Sequence, residues 1–371
     1  MGFDRSRPAA GSRRSMDDNG LVRGVILTED RDAAGPAEWD SCPDLLLPLA
    51  NKPLVEWMLA EYARAGVRES LIAAGRDTGE IAEFCGDGAR WGMSLAYWEE
   101  RDSRDAWEAR DARTARDAPA GQRLCRFVRE VTAFTKDAPF LVSTGPQLLE
   151  SEVYAQLVQS YREHRPCGIR AGRITGHTSG TSRYIAEHTR IYLMTARTCE
   201  VLVNKSTHDH TLNGLFGAAL VDLAGRGETV LNLDLEHPPF DVRSPEAYLA
   251  SNERMLASGP ESTRSALPEI MDDNFSSPNL VMRPPVIVDD TAELERCRIG
   301  PGVSIGPGVR IGHGAAIEHS VIMTGADVGD GASISYAVIG KYAGIENRAI
   351  LHGSADRVIV VRSRHASSVG T

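Results

Sequence analysis

Side chains able to do chemistry are sparse in this chain. His208, Asp209 and His210 stand in a row and could contribute to a metal site. No further ligand follows at zinc spacing, so the segment reads as a polar loop before a helix. The six cysteines (Cys42, Cys85, Cys125, Cys167, Cys199, Cys297) are scattered, with no CxxC pair and no Cys/His cluster. They read as reduced thiols of a cytoplasmic protein. Lysine is scarce: Lys52, Lys136, Lys205 and Lys341 are the only four among 41 basic residues. Any reaction that needs a lysine therefore has four candidates. His313 and His319 could serve as general bases, and both lie in a segment of strict six-residue periodicity.

That segment defines the C-terminal architecture. Ile299, Ile305, Ile311 and Ile317 recur every six residues, and Val303, Val309, Ala315 and Val321 repeat four positions on. The register slips by five and resumes at Ile322, Val328 and Ile334, then slips again to Ile339, Ile345 and Leu351. A six-residue apolar period is neither helical nor simply extended. It predicts a β-helix in which each hexad makes one side of a triangular coil, the isoleucine pointing inward. About four coils are expected from this pattern.

Upstream, the order is strand (Leu21 to Leu27), helix (Leu54 to Ala65, closed by Gly66), strand (Ser70 to Ala74), helix (Thr78 to Cys85), strand (Met93 to Tyr97). This alternation predicts a parallel α/β sheet. Further strands are expected at Phe140 to Ser143, Ile191 to Thr195 and Thr229 to Leu233. Helices are expected at Val153 to Arg162 and from Pro245, with Ser244 as N-cap. Arg101 to Asp117 alternates acids and bases and reads as a solvated helix face. The organisation is thus a polar tail (1–20), an α/β domain (21–257), a linker (258–285), a β-helix (286–356) and a second tail (357–371). The net charge of −10 disfavours nucleic-acid binding. No apolar run reaches bilayer length and no apolar stretch follows the first arginines, so neither a membrane association nor a secretory signal is expected.

Several stretches resemble the sugar-1-phosphate nucleotidylyltransferases, in particular the mannose-1-phosphate guanylyltransferase branch with a C-terminal left-handed β-helix. Pro43 to Pro53 (PDLLLPLANKP) is similar to that family's PKPLLPVANKP, and Phe84 to Glu100 (FCGDGARWGMSLAYWEE) matches a stretch of that branch. Phe240 to Leu249 (FDVRSPEAYL) looks like its WxDVGTPEDYL. The resemblance runs from about Leu21 to Leu351. It implies a Rossmann-like nucleotidyltransferase domain followed by a hexapeptide-repeat left-handed β-helix.

The implied chemistry joins a nucleoside triphosphate to a sugar 1-phosphate and releases pyrophosphate. It requires a glycine-rich phosphate loop, basic residues for the phosphates, and two aspartates holding Mg2+. Measured against these needs, the chain is depleted. Where the family reads LAGGxGTR, it reads Leu27-Thr28-Glu29-Asp30-Arg31-Asp32-Ala33-Ala34, and Asp44 replaces the lysine of PKP. An acid about 4 Å from a phosphate costs about 1 kcal/mol in water and about 4 kcal/mol near a protein surface. The family's NGD strand end is Thr144-Gly145-Pro146 here, so Asp241 alone survives of the metal pair. No lysine lies between Lys136 and Lys205 to serve as the sugar-phosphate lysine.

Leu27, Thr28, Glu29, Asp30, Asp44 and Gly145 are therefore expected to form a vestigial nucleotide pocket, and Asp241 a vestigial metal position. The expected role is a regulatory or scaffolding subunit that binds a nucleotide sugar, forming a homo-oligomer or a hetero-oligomer with an active nucleotidyltransferase. Mg2+ enters only if catalysis persists. The alternatives are an active transferase with an atypical site, and a β-helix acyltransferase using His313 or His319.

Overall fold

A computed structural model of the chain describes residues 22–28, 43–98, 120–136, 138–174, 185–187, 190–204, 212–258, 275–277 and 280–363. Glu29, Asp30, Asp32 and Ala34 lie outside these residues, as do His208 to His210, the charged stretch Arg101 to Asp117 and most of both expected tails.

The first strand, Arg23–Leu27, is apolar after Arg23 and wholly buried, and it forms the middle of an eight-stranded sheet. On one side lie Glu69–Ala73 and then Ser94–Tyr97. On the other lie Phe140–Thr144, Ile191–Met194, Gly168–Ile174 and Val230–Asp234, in that order. Ile185–Glu187 pairs off Gly168–Ile174. The sheet is parallel except at Ile191–Met194, which runs against both neighbours, and at Ile185–Glu187. Chain order therefore reverses at the central strand. The carboxyl ends of Arg23–Leu27 and Phe140–Thr144 flank the switch point, where open α/β sheets leave a crevice.

The helix Leu54–Arg64 covers one face through Leu54, Val55, Trp57, Met58, Leu59 and Tyr62. It stops where Gly66 turns to φ +91° and the Val67 N–H bonds back to the Tyr62 carbonyl at 3.0 Å, a glycine-dependent close. Close approach of this helix to the sheet requires Gly24. A Cβ there would stand 2.4 Å from Ser70 Oγ and 2.7 Å from the Tyr62 ring. The opposite face carries a second core built from Phe127, Val131, Tyr192, Phe216 and Leu220.

Within 280–363 the strands are short and parallel, and they stack on partners one coil away. They form three sides. Ile299, Ile317 and Ile334 lie on one inward track, Ile305, Ile322 and Ile339 on a second, and Ile311, Val328 and Ile345 on a third. Hydrogen bonds between equivalent positions span 17 residues, as in Gly308 N–H to Thr291 and His313 N–H to Asp330. The coil begins upstream of the expected boundary: Leu280–Met282 already pairs in register with Cys297–Ile299, and Phe275–Ser277 pairs with Leu280–Met282. Val321 corrects the valine repeat. The five-residue slip makes Ser320 the partner of Val303, so Val321 turns outward.

Outward-facing Ile287, Val321, Met323 and Val338 join the core of the first domain. The helix Pro245–Ser258, capped by Ser244 Oγ on the Ala247 N–H at 3.1 Å, forms most of the junction. Asn252, fully buried, accepts from the Ala50 N–H at 2.9 Å and from Ser304 Oγ at 3.1 Å. Ala50 and Asn51 (φ 47° and 62°) turn a two-residue hairpin between Pro48–Leu49 and Lys52–Pro53. That turn delivers Asn51 Nδ2 to the Ile305 carbonyl at 2.7 Å. No described helix is long and apolar enough to cross a membrane.

Candidate functional site at the switch point

Two backbone ends meet at the crevice. The Gly145 N–H donates to the Leu27 carbonyl at 2.6 Å, and the Thr28 N–H donates to the Ala73 carbonyl at 2.9 Å. Leu27, Thr28 and Gly145 are thereby brought together. Gly145 sits at φ +114°, and a Cβ there would lie 3.1 Å from Cδ and 3.3 Å from Nη1 of Arg190. The Arg190 side chain therefore lies across the glycine. Its backbone closes the same corner, because the Arg190 carbonyl accepts from the Thr144 N–H at 2.7 Å.

Asp241 reaches this end of the sheet by a separate device. Gln147–Leu148, just after Pro146, pairs antiparallel with Phe240–Asp241. Gln147 is 2% exposed and clamped at both ends of its amide. Its Nε2 donates to Asp241 Oδ2 at 2.9 Å, and its Oε1 accepts from the Arg190 N–H at 3.1 Å. Ser251 Oγ pins the Asp241 backbone, accepting from its N–H at 2.8 Å and donating to its carbonyl at 2.9 Å.

The carboxylate is then taken up by Arg243, two residues on. Arg243 donates from its backbone N–H to Oδ1 at 2.9 Å and from Nε to Oδ1 and Oδ2 at 2.9 and 2.8 Å, and Nη2 also bonds Oδ2. Burial raises the Asp241 pKa, but the hydrogen bonds and charge of Arg243, with help from Gln147, outweigh it and hold the carboxyl below its ordinary value. Arg243 shifts upward in turn, chiefly through its hydrogen bond to Asp241.

This arrangement does not fit the Mg2+ that the family resemblance implies. Both Asp241 oxygens face a guanidinium, and the strand end that would supply a second carboxylate supplies Pro146, which has no ligating side-chain atom. Among the described residues, no group of three or more His, Cys, Asp or Glu side chains is placed to hold a metal ion. What the site presents instead is a fixed cation on an acidic anchor, with Arg190 beside it.

Asp44 falls on the one-turn 3-10 helix Asp44–Leu46, with buried Leu45 and Leu47 around it, and is itself half-buried. His319 is committed to the domain junction. Its Nδ1 lies 2.7 Å from Glu253 Oε1, and its ring stacks on Tyr336 at 4.7 Å. His313 is exposed on the coil. The sequence reading misses Arg243, Gln147 and Arg190. A signal for Arg243 stands in the motif itself: FDVRSPEAYL has arginine where the related motif has glycine. Gln147 and Arg190 carry no such mark, since only the fold brings them to Asp241.

Residues 282–365 match the family model described as GMPPB C-terminal domain. The match covers the parallel-strand domain and supports kinship with sugar nucleotidyltransferases of the GDP-mannose pyrophosphorylase kind.

Proposed function

We propose that the protein is a non-catalytic member of the sugar-nucleotide nucleotidyltransferase class, with a left-handed β-helix as its C-terminal domain. It acts as a regulatory or scaffolding subunit, in a homo-oligomer or beside an active nucleotidyltransferase, and takes a nucleotide sugar as ligand rather than making one. The observation that carries this reading is the Asp241–Arg243 pair. A carboxylate that the resemblance assigns to a divalent ion is neutralised by a side chain of the same chain, and the residue before its cross-strand partner Gln147 is a proline rather than an acid. A charged ligand entering the crevice would meet guanidinium groups, which bind phosphate oxygens without a metal. The acids Glu29, Asp30, Asp32 and Asp44 oppose a triphosphate by charge and also support a lost reaction.

The direct test is pyrophosphate release from the full chain with each common NTP and a hexose 1-phosphate in Mg2+. The expected result equals a mock preparation. Release well above it, abolished by Asp241→Ala, would establish an active enzyme with an atypical site.

A further inference from the structure

A cavity of about 310 Å3 opens on the parallel-strand domain, lined by none of the switch-point residues. Its floor is the side formed by Leu280–Met282, Cys297–Ile299, Ala316–Ile322, Ser333–Ile339 and Ile350–His352. Alternation along these strands sends every second side chain outward. One outward column runs Val281, Arg298, Ala316, Ser333, Ile350. The next carries Glu318, Ser335 and His352, and Arg283 and Gly300 extend it.

The hollow arises where Gly300 and Ala316 leave both columns without bulk. Gly300 cannot be larger: at φ +94°, a Cβ there would stand 1.9 Å from the Arg283 carbonyl oxygen. Around the hollow stand Arg283 and Arg298 towards one end, Glu318 at its side, and Ser333 with His352 at the other end. Ser333 Oγ and His352 Nε2 are 2.7 Å apart.

The charged groups here are not spent on each other. Among the described residues, neither Arg283 nor Arg298 has a carboxylate partner, and Glu318 has no cationic one. On the neighbouring side of the coil, Arg310 and Glu293 do pair, at 3.4 Å. A concave site with two unpaired guanidiniums and one unpaired carboxylate keeps its hydrogen-bonding capacity for a ligand that carries an anion at one end and hydroxyls at the other. Two planar guanidiniums match the three terminal oxygens of a phosphate. A carboxylate and a Ser–His pair accept from, and donate to, hydroxyl groups. The volume lies at the lower end of small-molecule sites, and no Phe, Tyr or Trp lines it for stacking a base.

We propose that this cavity binds a small sugar phosphate, with the phosphate on Arg283 and Arg298 and the hydroxyls on Glu318, Ser333 and His352. The site is independent of the switch-point crevice and does not rest on the function proposed for it.

Calorimetry on the full chain tests this, with hexose 1-phosphate, inorganic phosphate and free hexose as titrants. Saturable binding of the hexose phosphate is expected, with inorganic phosphate at least about tenfold weaker and free hexose silent. Arg283→Ala and Arg298→Ala should each weaken hexose phosphate about tenfold or more, the worth of a charge-assisted hydrogen bond. Glu318→Ala should remove the advantage over inorganic phosphate and leave phosphate itself bound. Arg310→Ala, on the neighbouring side of the coil and outside the cavity, should change nothing. These cavity side chains are at the surface of the coil, and unchanged melting curves would confirm that the variants fold. The proposal falls if hexose phosphate gives no saturable heat at millimolar concentration, or if inorganic phosphate binds equally well. It also falls if Arg190→Ala weakens binding and the cavity variants do not.

Discussion

Removing the guanidinium from Asp241 is the sharpest perturbation of the crevice. Opposite charges about 4 Å apart attract by about 4 kcal/mol at a near-surface dielectric, and the gain shrinks where solvent reaches one partner. Arg243 is 42% exposed and Asp241 only 17%, so most of the screening acts on the arginine. We expect a coupling of about 1–2 kcal/mol from a double-mutant cycle of Arg243→Ala and Asp241→Asn, read by urea denaturation at pH 7. Arg243→Ala alone should cost about 2–3 kcal/mol, because it leaves a mostly buried carboxylate with Gln147 as its remaining side-chain donor among the described residues. The pH dependence fixes the origin. The folded pKa of Asp241 lies below its unfolded value of about 3.9, so the stabilisation is fully present above that value and is lost as pH falls through the lower folded one. In Arg243→Ala the buried carboxyl shifts upward instead, so the deficit of this variant should grow from acid to neutral pH. A coupling under about 0.5 kcal/mol at pH 7, or one unchanged well below about pH 3.9, would refute the reasoning.

Other outcomes are equally definite. Asn252→Ala strands the buried Ala50 N–H and Ser304 hydroxyl at the domain junction and should cost about 2–4 kcal/mol by chemical denaturation. Gly300→Ala should cost about 2–5 kcal/mol through its clash and its φ, whereas Gly308→Ala, at φ +64° with open space around it, should cost about 1 kcal/mol, both read by thermal melting. The Cys167 thiol, raised to about 11 by burial and then by its hydrogen bond and charge interaction with Glu228, should alkylate slowly at pH 8. Glu228→Gln should lower that pKa and speed the labelling, measured by mass spectrometry.

The C-terminal coil was the most legible part of the chain because its signal is repeated. Each five-residue slip after two hexads is the 17-residue offset seen in the hydrogen bonds, and the isoleucines fall on the inward tracks. The same slips hid the fate of Val321, since one lost residue changes which neighbour faces out. In the first domain, the helix Leu54–Arg64 and the strands beside it were readable from their periodicity and from the glycine that ends the helix. The reversed direction of Ile191–Met194 was not, because a fully buried strand shows a continuous apolar run whichever way it points. Nor was the helix Ala196–Asn204, which leans on Phe216, Leu220 and their neighbours under the sheet. The crevice is legible only in part. Leu27, Thr28, Gly145 and Asp241 lie at one end of the sheet, but no periodicity marks the partner that decides the chemistry of Asp241, an arginine among 41 basic residues.

The core shared across the junction has a consequence for how the chain is made. Leu49, Ala50, Met255 and Leu256 share one buried cluster with Ile287, Val321 and Val338 of the coil. During synthesis the first domain is finished well before those residues exist. The roughly 80 residues from Ser258 to Val338 take about 4–16 s to add at about 5–20 residues per second. For that interval, nascent chains carry an uncovered apolar seam along the helix Pro245–Ser258, and neighbouring chains on one message present identical seams to one another. Ribosome-associated chaperones, or slow early elongation that spaces the ribosomes, would govern the yield of folded protein more than the stability of either domain.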